Sequence, residues 1–498
     1  MEILSLLGSG FAIALTPANL FYCFVGSLVG TAVGVLPGLG PPATIALLLP
    51  VTYGIPATSA VILLAGIFYG AMYGGSTTSI LLNIPGEAAS VVTCLDGYQM
   101  ARQGRAGAAL AVAAVGSFIA GTIGVVGLML LAPPLASFAL KFGAPENAAL
   151  LILGLLMVGY LGGASMTKGL MMAVVGLLLG SVGLDPIQGT PRFTYGIFKL
   201  SEGFDFVLVA MGLFGIGEVL ANVEQTEEPE VITTKIGGLL ATREEWKAAA
   251  APMARGSLLG FIIGVLPGGG AIISSFLSYA IEKRISRHPE RFGKGAPEGV
   301  IAPEASNNSC IPTSLIPALT LGIPGGATSA ILLVAVTLQG LRPGPMLFTS
   351  NPELIWGFFM GLLVGAVIAT VLYLVMIPWF ALITIVRIEL LAPMLLIITL
   401  FGAYANERNM MDVFVAIFFG LFGYFLRRHG YPLISLVIGL ILGRLAEGSF
   451  HQALMISDHD YSVFILRPLS ALIFAVCLVL VLWPGVKTRL GRGGAEVT

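Results

Sequence analysis

The residue types in this 498-residue chain that could do chemistry gather beside interruptions rich in glycine and proline. One group is Gly74-Gly-Ser-Thr-Thr-Ser79, running on to Asn83-Ile-Pro-Gly-Glu87. The other is Pro303-Glu-Ala-Ser-Asn-Asn-Ser309, followed by Thr313-Ser314 and Gly322-Ile-Pro-Gly325. Hydroxyls, Asn amides and freed carbonyls are hard oxygen ligands, suited to replacing water around an alkali cation. The N-terminus of a half-helix offers backbone N–H groups and a positive dipole end to an anion. A pocket built this way takes a carboxylate and Na+ without a buried arginine. The expected anion site comprises Gly38, Gly40, Ser76, Thr77, Thr78, Asn83, Pro85, Gly86, Gly268, Gly270, Pro324 and Gly325. The expected cation site comprises Asn83, Glu304, Asn307 and Asn308. The competing reading is that Ser, Thr and Gly only mediate helix packing, as they do routinely in membranes.

Four acids border the interruptions: Glu87, Asp96, Glu298 and Glu304. A charge at the bilayer centre costs at least about 2.5–3.5 kcal/mol, so such groups face a cavity or a helix end. Each suits a coupling ion or a proton, and each equally suits capping a helix or pairing with Arg. Glu304, directly before the Asn pair, is the preferred ligand, and Asp205 and Glu218 are expected at the interface. Enzyme signatures (H-E-x-x-H, G-x-S-x-G, a P-loop) do not occur. Asp458-His-Asp460 reads as solvated polar sequence on an outer loop. The four cysteines stand singly and read as small buried side chains. No cofactor is expected beyond Na+ or H+ as coupling ion.

Composition sets the elements that must position these groups. The chain is 56 % hydrophobic and 10 % charged, with mean hydropathy +0.95, whereas soluble proteins carry about 25 % charged residues. This is the composition of an all-α polytopic membrane protein with the lipid bilayer as its surroundings. No basic tract points to nucleic acid.

The chain also repeats itself. At an offset of 230, residues 26–40 and 256–270 agree at ten of fifteen positions, including Gly34-Val-Leu-Pro-Gly38 and Gly264-Val-Leu-Pro-Gly268. Asn83-Ile-Pro-Gly-Glu-Ala-Ala-Ser90 echoes Gly322-Ile-Pro-Gly-Gly-Ala-Thr-Ser329. Proline removes a backbone donor and glycine permits conformations that end a helix. In hydrocarbon such a break survives only where it faces protein or a wet cavity, and paired breaks in two halves point to a transport site. A kink needed only for packing is the alternative.

Lys283, Arg284, Arg287, Arg291 and Lys294 fill a loop whose counterpart, 51–56, has no charge, while Arg102 and Arg105 have only Arg342 opposite them. Basic loops mark the cytoplasmic side, so equivalent loops face opposite ways. The expectation is two inverted repeats with broken or re-entrant helices, about 12 transmembrane helices in all. The first repeat covers 18–222, a cytoplasmic linker 223–254, the second repeat 255–446, and an additional C-terminal transmembrane helix 462–484.

These residues carry a family resemblance. Gly34-Val-Leu-Pro-Gly-Leu-Gly-Pro-Pro-Ala43, Tyr73-Gly-Gly-Ser-Thr-Thr-Ser-Ile-Leu-Leu-Asn-Ile-Pro-Gly-Glu87, Asp96-Gly-Tyr-Gln-Met-Ala-Arg-Gln-Gly-Arg-Ala-Gly107, Glu298-Gly-Val-Ile-Ala-Pro-Glu-Ala-Ser-Asn-Asn308, Leu321-Gly-Ile-Pro-Gly325 and Pro343-Gly-Pro345 occur in that order. The chain closely resembles the large permease subunit of the tripartite tricarboxylate transporter family over most of 18–445. It departs at Ser306 and Ser309, where the family often has Ala. The resemblance implies a multi-pass permease of the bacterial inner membrane that works with a small membrane subunit and a periplasmic solute-binding protein. It implies import of tri- and dicarboxylate anions by symport with Na+ or H+. From the residues themselves the expected mechanism is elevator-like alternating access, with an anion channel and an intramembrane enzyme as competing readings.

Overall fold

The structure is a computed structural model, described over residues 2–36, 40–83, 85–161, 165–185, 189–224, 241–266, 268, 270–383 and 388–492. It is helical almost throughout. Among the described residues seven helices are long and apolar enough to cross a membrane, accompanied by eight shorter apolar helices. The chain divides into two compact units, Met1–Ser137 with Val207–Gly430 and Phe138–Phe206 with Tyr431–Thr498. Each unit therefore draws on both halves of the sequence.

In the larger unit the Pro17–Gly34 helix opens on Thr16, whose side chain accepts the Asn19 N–H, with proline at the first helical position as the orphan donors there favour. It lies against the Ala57–Leu82 helix with backbones in contact. A Cβ on Gly26, Gly30 or Gly34 would fall 2.2, 2.4 or 2.3 Å from the carbonyl oxygens of Leu63, Ile67 and Ala71. The facing residues Gly66, Gly70 and Gly74 have the same relation to Cys23, Ser27 and Thr31, at 2.7, 2.3 and 2.4 Å. Small residues every fourth position are the membrane solution to close helix packing, since lipid supplies no hydrophobic drive between helices.

The repeated glycines do the same work again. The Arg243–Val265 helix meets the Pro297–Thr313 helix through Gly256 and Gly260, whose Cβ atoms would fall 2.4 and 2.0 Å from the Ala302 and Ser306 oxygens. The Ile-Pro-Gly turns are also built alike. The Ala57–Leu82 helix ends on Asn83 at φ 59°, and the Leu315–Leu321 helix ends on Gly322 at φ 71°, both left-handed caps. Four residues on, the Glu87 N–H donates to Ser90 Oγ at 3.4 Å and the Gly326 N–H to Ser329 Oγ at 2.9 Å.

Each turn seats on its own half's first break. A Cβ on Gly86 would lie 2.4 Å from the Gly34 oxygen, and one on Gly325 would lie 2.8 Å from the Gly264 oxygen. The halves then interlock. The Pro41–Leu48 helix packs on Ala327–Leu338, and the Gly270–Ile285 helix packs on Ala88–Ser90 and Val91–Met100.

The smaller unit joins the Ala144–Leu161, Met166–Gly180 and Leu433–Ile456 helices with the Pro468–Arg492 helix. Gly176 and Gly439 let the second and third of these touch at the Leu436 and Ala173 carbonyls. A hairpin pairs Gly183–Leu184 with Pro191–Arg192. Arg192 forks onto Glu447, and Arg467 meets Glu146 at 2.8 Å.

The expected linker, 223–254, is described in part. Residues 225–240 lie outside the described residues, but the stretch is helical from Arg243 onward, begun by a capping box between Thr242 and Glu245. The apolar periodicity begins later than the helix does, because the capping residues are polar.

The glycine contacts make a stability prediction. Gly260→Ala forces a methyl onto the Ser306 carbonyl and should cost about 1–3 kcal/mol, whereas Gly8→Ala meets nothing within 4 Å and should be neutral or slightly stabilising. Thermal melting of the detergent-purified protein, followed by size-exclusion chromatography, compares the two.

Candidate functional site

The Pro297–Thr313 helix is the centre of the larger unit, and all but its second residue count as buried. It was expected only as polar sequence beside a break, because Glu304, Ser306, Asn307, Asn308 and Ser309 deny it the composition of a span. It is buried by other helices and not by lipid. Ser278 Oγ donates to the Ala302 oxygen at 2.8 Å, Ser275 Oγ to the Pro303 oxygen at 3.4 Å, and the Ser274 and Ser306 hydroxyls share a hydrogen bond. On another side Gly124 approaches the Ser309 carbonyl, where a Cβ would lie 2.7 Å away. Pro312 has no N–H, so the Asn308 carbonyl loses its partner one turn back.

Glu304 is the chemical focus of this helix. Its carboxylate accepts from Thr93 Oγ1 at 2.5 Å, from Ser76 Oγ at 2.8 Å and from Ser117 Oγ at 3.5 Å. Those hydroxyls come from three other helices, Val91–Met100, Ala57–Leu82 and Ala106–Ala139. Asn308 Nδ2 donates toward Ser117 Oγ at 2.8 Å, the Glu304 carbonyl at 3.0 Å and Asn307 Oδ1 at 2.6 Å. Asn307 Nδ2 and Asn308 Oδ1 are buried without a hydrogen-bond partner among the described residues. A second acid, Glu87, is buried over Gly75, and its Oε1 also lacks a partner among them. The cluster is thus rich in oxygen, includes two buried carboxyl groups, and holds unused hydrogen-bonding capacity.

Asp96 has a different task. Its Oδ1 accepts the N–H groups of Gly293, Gly295 and Ala296 at 2.9, 2.8 and 2.8 Å, and its Oδ2 accepts the Tyr279 hydroxyl at 2.9 Å. The carboxylate therefore fastens the basic loop to the start of the Pro297–Thr313 helix, where an anion complements the dipole. The capping alternative is the one Asp96 takes.

The other expected residues distribute as follows. Of the three hydroxyls at 76–78, Ser76 reaches Glu304, while Thr77 and Thr78 bond the Tyr73 and Gly75 carbonyls of their own helix. Asn83 is exposed and serves as the left-handed cap. Gly40 caps Pro41–Leu48 beside Glu87, with Pro85 half-buried and Gly86 buried. Gly268 and Gly270 have positive φ, and the Gly270 N–H donates to the Gly325 oxygen at 3.2 Å next to buried Pro324. Gly38 lies outside the described residues. Among the described residues no three His, Cys, Asp or Glu gather as metal ligands.

Thr93 and Ser117 escaped the sequence reading. Ser117 had a signal, being the lone hydroxyl in the apolar run from Ala106 to Ala120. Thr93 had only its position three residues before Asp96.

Helices of spanning length around an interior acid–amide–hydroxyl cluster mark a multi-pass membrane protein. The chain matches the tripartite tricarboxylate transporter TctA family over residues 20–438 and belongs to that family. It is similar to an uncharacterised 52.8 kDa protein of Agrobacterium vitis, described as lying in the TAR-I ttuC' 3' region. The two are 46 % identical over 493 residues, covering 98 % of each chain. A second uncharacterised protein of Agrobacterium vitis, from the TAR-II ttuC' 3' region, is 39 % identical over 234 residues, covering 46 % of this chain and 96 % of its own. No solved structure matches.

The role of Asp96 is open to test. Asp96→Ala removes the acceptor of three amides, and hydrogen exchange at Gly293, Gly295 and Ala296 should accelerate at least about tenfold, as loss of about 1.5–3 kcal/mol per charged bond requires. Unchanged protection would show that the loop is held otherwise.

Proposed function

We propose that the chain is the large permease subunit of a secondary, binding-protein-dependent transporter of the bacterial inner membrane. It imports tri- or dicarboxylate anions together with Na+ or H+, and works with a small membrane subunit and a periplasmic solute-binding protein. The observation that carries this reading is the Glu304 cluster. A buried carboxylate ringed by hydroxyls and amides from both halves of the chain suits a group that takes up and releases a cation. Glu304, Asn307 and Asn308 hold that cation in this proposal. The glycine turns around Gly40, Gly86, Gly270 and Gly325 receive the carboxylate on backbone N–H groups.

The two halves are read as inverted repeats. The loop charges support this, as do the matching caps at Asn83 and Gly322 and the reciprocal packing of each half's post-break helix on the other half's turn. The movement is read as elevator-like, the element that bears the Ile-Pro-Gly loops moving against the remaining helices.

Reconstitution of the permease with its membrane and periplasmic partners, with radiolabelled tri- and dicarboxylates outside, tests the proposal. Uptake against the solute gradient, collapsing when the ion gradients are dissipated, is the expected result. Uptake that only equilibrates the solute would make the protein a channel. Asn307→Ala should lower uptake and raise the Na+ concentration needed for half-maximal rate by about tenfold. Wild-type rate and Na+ dependence in that variant would remove Asn307 from the site.

A further inference from the structure

Three oxygen atoms converge on one nitrogen. Ser117 Oγ, the Glu304 main-chain oxygen and Asn307 Oδ1 lie 2.8, 3.0 and 2.6 Å from Asn308 Nδ2. A carboxamide nitrogen carries two hydrogens, so it cannot serve three acceptors with good geometry. At the same time Asn308 Oδ1 and Asn307 Nδ2, both fully buried, have no partner among the described residues. An unsatisfied buried polar atom costs about 1–3 kcal/mol, so this arrangement is a costly way to pack two neighbouring asparagines.

We propose that the point now filled by Asn308 Nδ2 is a Na+ site, and that the Asn308 amide is a tethered stand-in for the ion. Rotation of the Asn308 side chain about χ1 withdraws the NH2 group from that point and leaves Oδ1 beside it, facing the ion that takes its place. Na+ then sees Ser117 Oγ, the Glu304 and Asn307 oxygens and Asn308 Oδ1, with the Glu304 carboxylate as its counter-charge. Neutral ligands with one adjoining carboxylate suit a monovalent ion, whereas divalent sites gather several acids. Ser117 enters as a ligand from the first half of the chain, so ion binding ties Ala106–Ala139 to Pro297–Thr313. This rests on the transporter reading above and selects Na+ over H+ within it.

The experiment is made on the purified full-length permease, without partners or organic acid. Thermal shift and titration calorimetry are run with NaCl, KCl and choline chloride at constant ionic strength. Na+ should stabilise the wild type and K+ and choline should not. Ser117→Ala should weaken Na+ binding about tenfold or more, and Ser117→Thr, which keeps the hydroxyl, should restore it. Asn308→Asp exchanges the competing NH2 for oxygen and should bind Na+ at least as tightly as wild type. Absence of a Na+-specific response in the wild type overturns the site, as does Na+ affinity unchanged in Ser117→Ala. Should Ser117→Ala fail to fold, weaker binding in Asn308→Asp than in wild type overturns it. Intact Na+ binding with no carboxylate uptake in the reconstituted complex would instead defeat the transporter reading and leave this site standing.

Discussion

The carboxylate of Glu304 is removed from both water and lipid, and this desolvation constrains the surrounding helices. An ionised group in such a place is tolerated only if surrounding dipoles replace its hydration. The replacements are hydroxyls of Ser76, Thr93 and Ser117, which are short. Short side chains reach the carboxylate only if their backbones stand close to the Pro297–Thr313 helix. That requirement explains why the neighbouring helices are so rich in Gly, Ala and Ser. Gly116 and Gly124, on the same helix as Ser117, face Ile301 and Pro312. Larger residues there would hold Ser117 away from the acid.

The duplicated glycine motifs meet the same demand at both ends. In the first half they bring Ala57–Leu82, and with it Ser76, against Pro17–Gly34. In the second they bring Pro297–Thr313, and with it Glu304, against Arg243–Val265. The acid belongs to one copy and a hydroxyl that satisfies it belongs to the other. Two similar glycine motifs thus hold two helix pairs whose side chains are complementary at the point where they meet.

Much of this was legible beforehand because it rests on backbone chemistry. Glycine and proline announce breaks and close approaches whatever the tertiary context, so the Ile-Pro-Gly turns, the close glycine contacts, and the Glu304–Asn307–Asn308 triad could be read from residue types. The Pro297–Thr313 helix could not, since hydropathy detects what faces lipid and this helix faces protein. Asn83 shows a second limit. Its side chain qualified it as an ion ligand, yet Asn is also a residue that tolerates a left-handed cap, and residue type alone does not choose between the two. Asp96 illustrates the converse, its role being fixed by the amides of a loop nearly two hundred residues away.

The two acids near the turns are not equivalent. Glu304 is held by hydroxyls from three helices, so its position is determined by the fold of the larger unit. Glu87 follows directly on the Ile-Pro-Gly turn, and its Oε1 lacks a partner among the described residues. A group fixed on all sides suits an ion that must be found in the same place each cycle. A group on a turn, with spare capacity, suits a neighbour that answers to whether that ion is present. Glu87 stands beside Gly40 and Gly86, where the proposed anion site begins, and Glu304 stands at the cation cluster. In the transport proposal, a cation bound at Glu304 would offset the negative charge that ionised acids here would present to an incoming anion. Within that proposal, the placement favours cation before carboxylate as the order of binding.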